Sequence, residues 1–193
     1  MKLPIRIAIL ASGNGSNAEN IAHYFASNTQ ILVDSFYTNK ADAFVVERAN
    51  RMNIPCYYFS NADFKDGSAI AATLQERNID FVVLAGFLLK IPTTILNAYP
   101  NKIINIHPAL LPLFGGKGMY GEKVHQAVKA SGAKQSGISI HFVNEHYDEG
   151  AIIFQTKCPI DANDSIEEIA HKVHELEYKH FPKIIEQVVI EAL

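Results

Sequence analysis

The chain has 193 residues, 48% of them hydrophobic and 19% charged, an ordinary composition for one globular unit that can bury a sizeable core. A formal net charge of −3, with no run of Lys or Arg, argues against nucleic acid as a partner, because phosphate backbones demand clustered cations. Cys56 and Cys158 provide neither a metal motif nor a disulfide framework and read as buried free thiols, and Gly13 and Gly15 interrupt the first apolar run too early for a signal peptide or a membrane span.

In chain order, apolar runs of strand length alternate with amphipathic segments. Strands are predicted at 6–10, 31–37, 56–59, 81–85 and 103–106, with helices at 17–26, 41–52, 68–77 and 93–99 between them. This alternation predicts an α/β fold, a mostly parallel sheet flanked by helices. From Gly137 onward the order changes. Segments 138–143 and 152–157 read as strands joined through His146-Tyr147-Asp148-Glu149-Gly150, which predicts antiparallel strands added in the C-terminal half. A long helix is predicted over 165–192, with Ser165 as N-cap and Glu168 completing a capping box. Pro182 is expected to kink or interrupt it. The whole, 1–193, reads as a single cytoplasmic domain, monomer or homodimer, with halves of about 1–100 and 101–193.

Chemistry concentrates where strands end. After the first strand come Gly13, Asn14, Gly15, Ser16 and Asn17, a loop that opens a helix. Its glycines allow close backbone approach, and a helix N-terminus offers free N–H groups to an anion. The pattern is neither a Walker A loop nor a complete dinucleotide fingerprint, so a single phosphate suits it better; a structural turn is the alternative. The segment Thr38-Asn39-Lys40-Ala41-Asp42 ends the second strand, and Asp42 reads as the first-turn residue of the next helix. Residues 84–92 form a strand running into an apolar loop, which could either wall a pocket for a flat ring or simply pack in the core.

Asn105 and His107 stand two apart before Pro108, so in an extended segment both project to one side. An amide donor beside an imidazole can stabilise an oxyanion and move a proton, or it can merely satisfy nearby backbone. Asp148 could hold and charge His107, or it could be a turn residue before Gly150. The glycine-rich stretch 113–121 reads either as a flap that brings Lys117 and Tyr120 to a substrate or as a surface loop. His141 could face the site or the core. His125, His171, His174 and His180 read as helix-surface residues, and none has metal-ligand spacing.

Four segments together carry a family resemblance: Ala11 to Asn17, Leu84-Ala85-Gly86-Phe87, Asn105-Ile106-His107-Pro108 with Leu110-Leu111-Pro112, and Asp148-Glu149-Gly150. Over about residues 5–182 the chain resembles the phosphoribosylglycinamide formyltransferases, folate-dependent enzymes of purine synthesis. The Asn-x-His-Pro element is shared by a wider group of formyl-handling enzymes, and Gly-Asn-Gly-Ser-Asn narrows the match. The resemblance implies a Rossmann-like formyltransferase fold, glycinamide ribonucleotide and 10-formyltetrahydrofolate as substrates, and no metal. It implies that Asn105, His107 and Asp148 are catalytic, with Asp148 raising the His107 pKa. It implies ribonucleotide contacts from Gly13, Asn14, Gly15, Ser16, Asn17 and Glu177, and folate contacts from Leu88, Leu89, Lys90, Ile91 and Asn105. Two departures stand out. Leu89 occupies a position where the family commonly has Arg, and Gly67 falls where the family places a basic residue near the phosphate, with Lys65 close by. A formate-releasing hydrolase of the same group would be expected to carry an extra N-terminal domain. A tRNA-directed relative would be expected to carry a C-terminal one, and a non-catalytic phosphate-sugar sensor would need only the glycine loop.

Overall fold

The structure, a computed structural model, describes residues 4–192. Strands β1 (Ile5–Leu10), β2 (Ile31–Thr38), β3 (Cys56–Tyr58), β4 (Phe81–Leu84) and β5 (Ile103–His107) pair in parallel. Strand β6 (Gln135–Phe142) runs antiparallel to β5, and β7 (Ile152–Pro159) runs antiparallel to β6. The sheet order is β3-β2-β1-β4-β5-β6-β7. The chain therefore moves outward from β1 to β3, then returns to the other side of β1 to lay down β4. Loops leaving β1 and β4 diverge at that reversal, and a crevice opens at the carboxyl ends of the strands.

Helices cover both faces: α1 (Ser16–Phe25), α2 (Phe44–Arg51), α3 (Asn61–Asp66), α4 (Ser68–Glu76), α5 (Thr93–Ala98), α6 (Glu122–Ala130) and α7 (Ile166–Glu191). Strand β1 shows why its sequence is almost continuously apolar. Ile7 and Ile9 enter a core with Ile21, Phe25, Val45 and Phe181, whereas Ala8 and Leu10 enter a second core with Phe64, Leu74 and Ile95. A strand buried on both faces needs no polar alternation. Among the described residues, no helix is long and apolar enough to cross a membrane.

Several boundaries differ from the sequence expectation. Helix α2 starts at Phe44 rather than 41, because Ala43 N–H bonds the Lys40 carbonyl and Val45 N–H bonds the Gly13 carbonyl. Those bonds commit residues 40–43 to a turn, so Asp42 stands exposed before the helix instead of inside its first turn. Helix α3 was not expected. It is six residues long, too short to show periodicity, and is nucleated by a Ser60–Asp63 capping box. Pro182 neither ends nor interrupts α7, which runs through it. Proline removes the N–H that the Tyr178 carbonyl would have received, and Asn20 Nδ2 donates to that carbonyl instead, at 3.1 Å. The Ser165–Glu168 capping box forms as expected. Cys158 is buried, but Cys56 is only half-buried; both are free, and burial pushes the Cys56 thiol up to about 11.

Candidate active site

A cleft of about 560 Å3 opens at the crevice, within the range of small-molecule sites. The loops after β1, β4 and β5, the 116–121 stretch, the Asp148 turn and one face of α7 converge on it.

The floor begins with the glycine loop. Gly15 adopts φ +75°, and a Cβ there would stand 2.6 Å from Val45, so only glycine allows this turn against α2. Gly15, not Ser16 or Asn17, is the N-cap of α1, and the first-turn N–H groups of that helix are left without intrahelical partners. Ser12 is fully buried, accepts the Leu88 N–H at 3.0 Å and ties this loop to the one after β4. Both Asn14 oxygens are held by Arg48, at 2.9 and 2.8 Å. Asn17 Nδ2 donates to Glu177 at 2.8 Å, which engages one of its two N–H groups, and its buried Oδ1 has no protein partner. Gly13, Asn14, Gly15, Ser16 and Asn17 all line the cleft.

Glu177 is not the exposed helix residue its charged neighbours suggest. It is 8% exposed, lines the cleft and accepts from both Asn17 and His174 at 2.8 Å. His174 likewise turns toward the cleft. His125, expected on a helix surface, is 7% exposed in α6, lines the cleft and leaves Nδ1 without a protein partner. Only His171 of this group is highly exposed; His180 stacks on Phe154 at 5.1 Å. The local signal was present for His125, since it stands between Val124 and Gln126 and four before Lys129, but helical periodicity alone does not say which face meets a neighbour.

The opposite wall joins β5 to β6. Asn105 and His107 project together, as their spacing predicts, and face His141 and Ser139 across the antiparallel pair. Ser139 Oγ donates to the Ala109 carbonyl at 2.7 Å and accepts the Leu111 N–H at 2.9 Å, which holds the backbone just beyond His107 and Pro108. His107 is 3% exposed, and its Nε2 donates to the Phe114 carbonyl at 2.8 Å. Its Nδ1 stands 3.6 Å from Asp148 Oδ2. Asp148 adopts φ +56°, a left-handed conformation that Asp tolerates better than most residues, and Oδ2 accepts the Gly116 N–H at 2.9 Å.

At His107, burial and the neighbouring carboxylate act in opposite directions. Burial depresses the His107 pKa below its ordinary value of 6.5; Asp148 and the Phe114 carbonyl push it up and offset this only in part. His107 is therefore neutral at pH 7, not a standing acid. Burial also pushes the Asp148 carboxyl up, but the two imidazoles beside it and the Gly116 N–H outweigh that and hold it below the usual carboxylate value.

The 113–121 stretch is a wall of the cleft rather than a detached surface loop. A Cβ at Gly115 would stand 3.2 Å from Asp148 Cβ, and residues 116–121 line the opening. Among the described residues that line the cleft, Lys117 is the only Lys or Arg, and neither Lys65 nor Gly67 is one of them. Leu88 lines the cleft. Leu89, Lys90 and Ile91 line a shallow recess of about 60 Å3 that shares Phe87, Asn105, Tyr147 and Asp148 with it. No group of three or more His, Cys, Asp or Glu side chains among the described residues is arranged to hold a metal ion.

The chain is similar to known proteins over almost its whole length. The chain is 42% identical over 195 residues to the chloroplastic phosphoribosylglycinamide formyltransferase of Arabidopsis thaliana, covering 97% of this chain and 66% of that protein. It covers 62% of the Vigna unguiculata counterpart, so it spans just under two thirds of these plant relatives. The phosphoribosylglycinamide formyltransferase of Bacillus subtilis is 37% identical, with 95% of this chain and 94% of that protein covered. The crystal structure of phosphoribosylglycinamide formyltransferase from Streptococcus pneumoniae superposes with a TM-score of 0.85 at 34% identity, covering 95% of this chain and 98% of that one. The model described as formyl transferase matches residues 5–185, and the chain belongs to that family.

Proposed function

We propose that this protein transfers the formyl group of 10-formyltetrahydrofolate to the amine of glycinamide ribonucleotide. The observation that carries this reading is a single cleft in which an anion-receptive helix N-terminus faces Asn105, His107 and Asp148. The relatives named for this reaction support it.

In this reading the phosphate rests on the N–H groups of residues 15–17, and the ribose lies toward Glu177. The folate ring enters between Leu88 and the recess lined by Leu89, Lys90 and Ile91. The amine nitrogen attacks the formyl carbon, and charge gathers on the formyl oxygen, where the Asn105 amide donates. Neutral His107 accepts the proton that the amine sheds and returns it to the folate nitrogen, whose bond to the formyl carbon breaks. While charged, the imidazolium has acceptors on both nitrogens, the Phe114 carbonyl on one and Asp148 on the other, which offset part of the cost of burying its charge. Asp148 thus acts by supporting a proton in transit. No metal enters the scheme, and we propose a cytoplasmic setting.

The test mixes purified protein with both substrates and follows folate absorbance together with ribonucleotide mass. Folate conversion with a formyl-sized mass gain, dependent on the ribonucleotide, is expected. Conversion without the ribonucleotide, with formate released, would replace transfer by hydrolysis, and silence in both channels would leave a binding protein.

A further inference from the structure

His141 has no part in the scheme above, yet it is 2% exposed and stands directly opposite Asn105 in the β5–β6 pair. The β6–β7 register slips beside it: Ile140 pairs with Phe154, but His141 pairs with Ile152, leaving Ile153 as an extra residue. Such a bulge bends the strand pair and re-aims the side chains next to it.

The hydrogen bonds of this ring leave little freedom. Nδ1 lies 2.7 Å from the Phe142 carbonyl oxygen, which can only accept, so the ring proton belongs on Nδ1. In the neutral ring Nε2 is then an acceptor, and the atom it meets at 3.0 Å is Asn105 Nδ2, a donor. Reversing the Asn105 amide would set Oδ1 against the Nε2 lone pair, two acceptors with no hydrogen between them. The carbonyl at the start of this relay is itself closely backed. A Cβ at Gly150 would stand 1.7 Å from the Phe142 oxygen and 3.4 Å from His141 Nδ1, so only a glycine leaves that oxygen in place. The Asp148-Glu149-Gly150 turn therefore serves the site twice, with a carboxylate on the His107 side and a bare Cα behind the relay.

We propose that His141 is a positioning residue. Held with its proton on Nδ1 by the Phe142 carbonyl, it orients the Asn105 amide nitrogen toward β6 and leaves the second N–H of that nitrogen to face the cleft. The competing arrangement is an imidazolium at His141 paired with Asp148 Oδ1, which lies 3.7 Å from Nε2. It requires the Asn105 amide to be reversed as well, with Oδ1 accepting the Nε2–H, and at 3.7 Å the carboxylate lies beyond hydrogen-bond reach of the charge it would have to support. The consequence for turnover rests on the proposed formyl transfer; the proton position does not.

Two measurements test the inference, and they fail separately from the proposed reaction. Nitrogen-15 NMR of imidazole-labelled protein, with His141 assigned by its loss in His141→Phe, should show one protonated and one unprotonated ring nitrogen at neutral pH, the protonated one being Nδ1. A proton on Nε2, or on both nitrogens, would overturn the assignment whether or not the protein transfers formyl groups. In the transfer assay, His141→Phe should lower kcat by up to on the order of 10²-fold, the cost of a lost oxyanion donor, with KM for both substrates little changed. An unchanged kcat, or parallel damage to kcat and both KM values, would overturn the positioning role. Activity absent from the unmodified protein would instead count against the reaction.

Discussion

Two carboxylates, Asp34 inside the sheet on β2 and the half-buried Asp148 in the turn between β6 and β7, show how a charge held by arginines differs from one beside imidazoles. Asp34, on β2, is 6% exposed, and its oxygens are saturated. Arg77 Nε bonds Oδ2 at 2.6 Å, Ser35 Oγ bonds it at 2.8 Å, Arg77 Nη2 reaches Oδ1 at 3.1 Å, and Arg6 pairs with Oδ1 as well. Asp148 has one close donor, the Gly116 N–H at 2.9 Å, and two imidazoles at 3.6 and 3.7 Å, beyond hydrogen-bond reach. Burial pushes both carboxyls up, and in both the surrounding donors and cations outweigh it, so both are ionised at neutral pH. The partners differ in kind. Arginines stay charged at all accessible pH, whereas imidazoles can gain and lose a proton near neutrality. Asp34 locks a strand to its neighbours; in the proposed transfer, Asp148 has capacity left for a proton that arrives during the reaction.

The sharpest way to break that contrast is to neutralise each carboxyl without changing its shape. Asp148→Asn should lower kcat by on the order of 10²–10⁴-fold, the usual share of acid–base catalysis, and leave ribonucleotide affinity nearly intact. Steady-state kinetics with a separate binding measurement would show this, and an equal loss of affinity would remove Asp148 from its role. Asp34→Asn should do the reverse. Chemical denaturation should show a loss of about 2–3 kcal/mol with kcat preserved; this is at or below the low end for orphaning a buried pair, because both guanidiniums keep some contact with water.

The pH dependence sharpens the comparison further. Because burial lowers the His107 pKa, the neutral base is already present at pH 7 and is lost only as pH falls through a value below 6.5. The acid limb of kcat/KM should therefore lie below the ordinary imidazole range. Removing the Asp148 charge takes away an influence that favours the imidazolium, so in Asp148→Asn that limb should move to still lower pH. An acid limb above 6.5, or one that Asp148→Asn moves upward, would contradict the neutral resting state. The smallest effect concerns Glu177, which lines the cleft and accepts two hydrogen bonds, both at 2.8 Å. Glu177→Gln should raise KM for the ribonucleotide roughly 10-fold, the value of one hydrogen bond to a charged group, with kcat nearly unchanged.

Local patterns were legible wherever a short segment decides its own structure. The β1 and β5 runs, the Ser165–Glu168 cap and the shared projection of Asn105 and His107 depend on neighbours within a few residues. The short helix α3 and the late start of α2 were not legible, because one is shorter than a helical period can reveal and the other is set by a bond to Gly13 on a different loop.

By itself the sequence determined the alternating strands and helices, the glycine turn at Gly15 and the motifs that mark the family, since each is encoded by apolar spacing or by residue types at fixed separations. Only the tertiary structure decided that Glu177 and His125 are buried at the cleft, that His141 pairs with Asn105, and that burial lowers the His107 pKa. Burial and proton position follow from what surrounds a side chain. For these residues the surroundings arrive from elements far away in the chain, such as the 160 positions that separate Asn17 from Glu177.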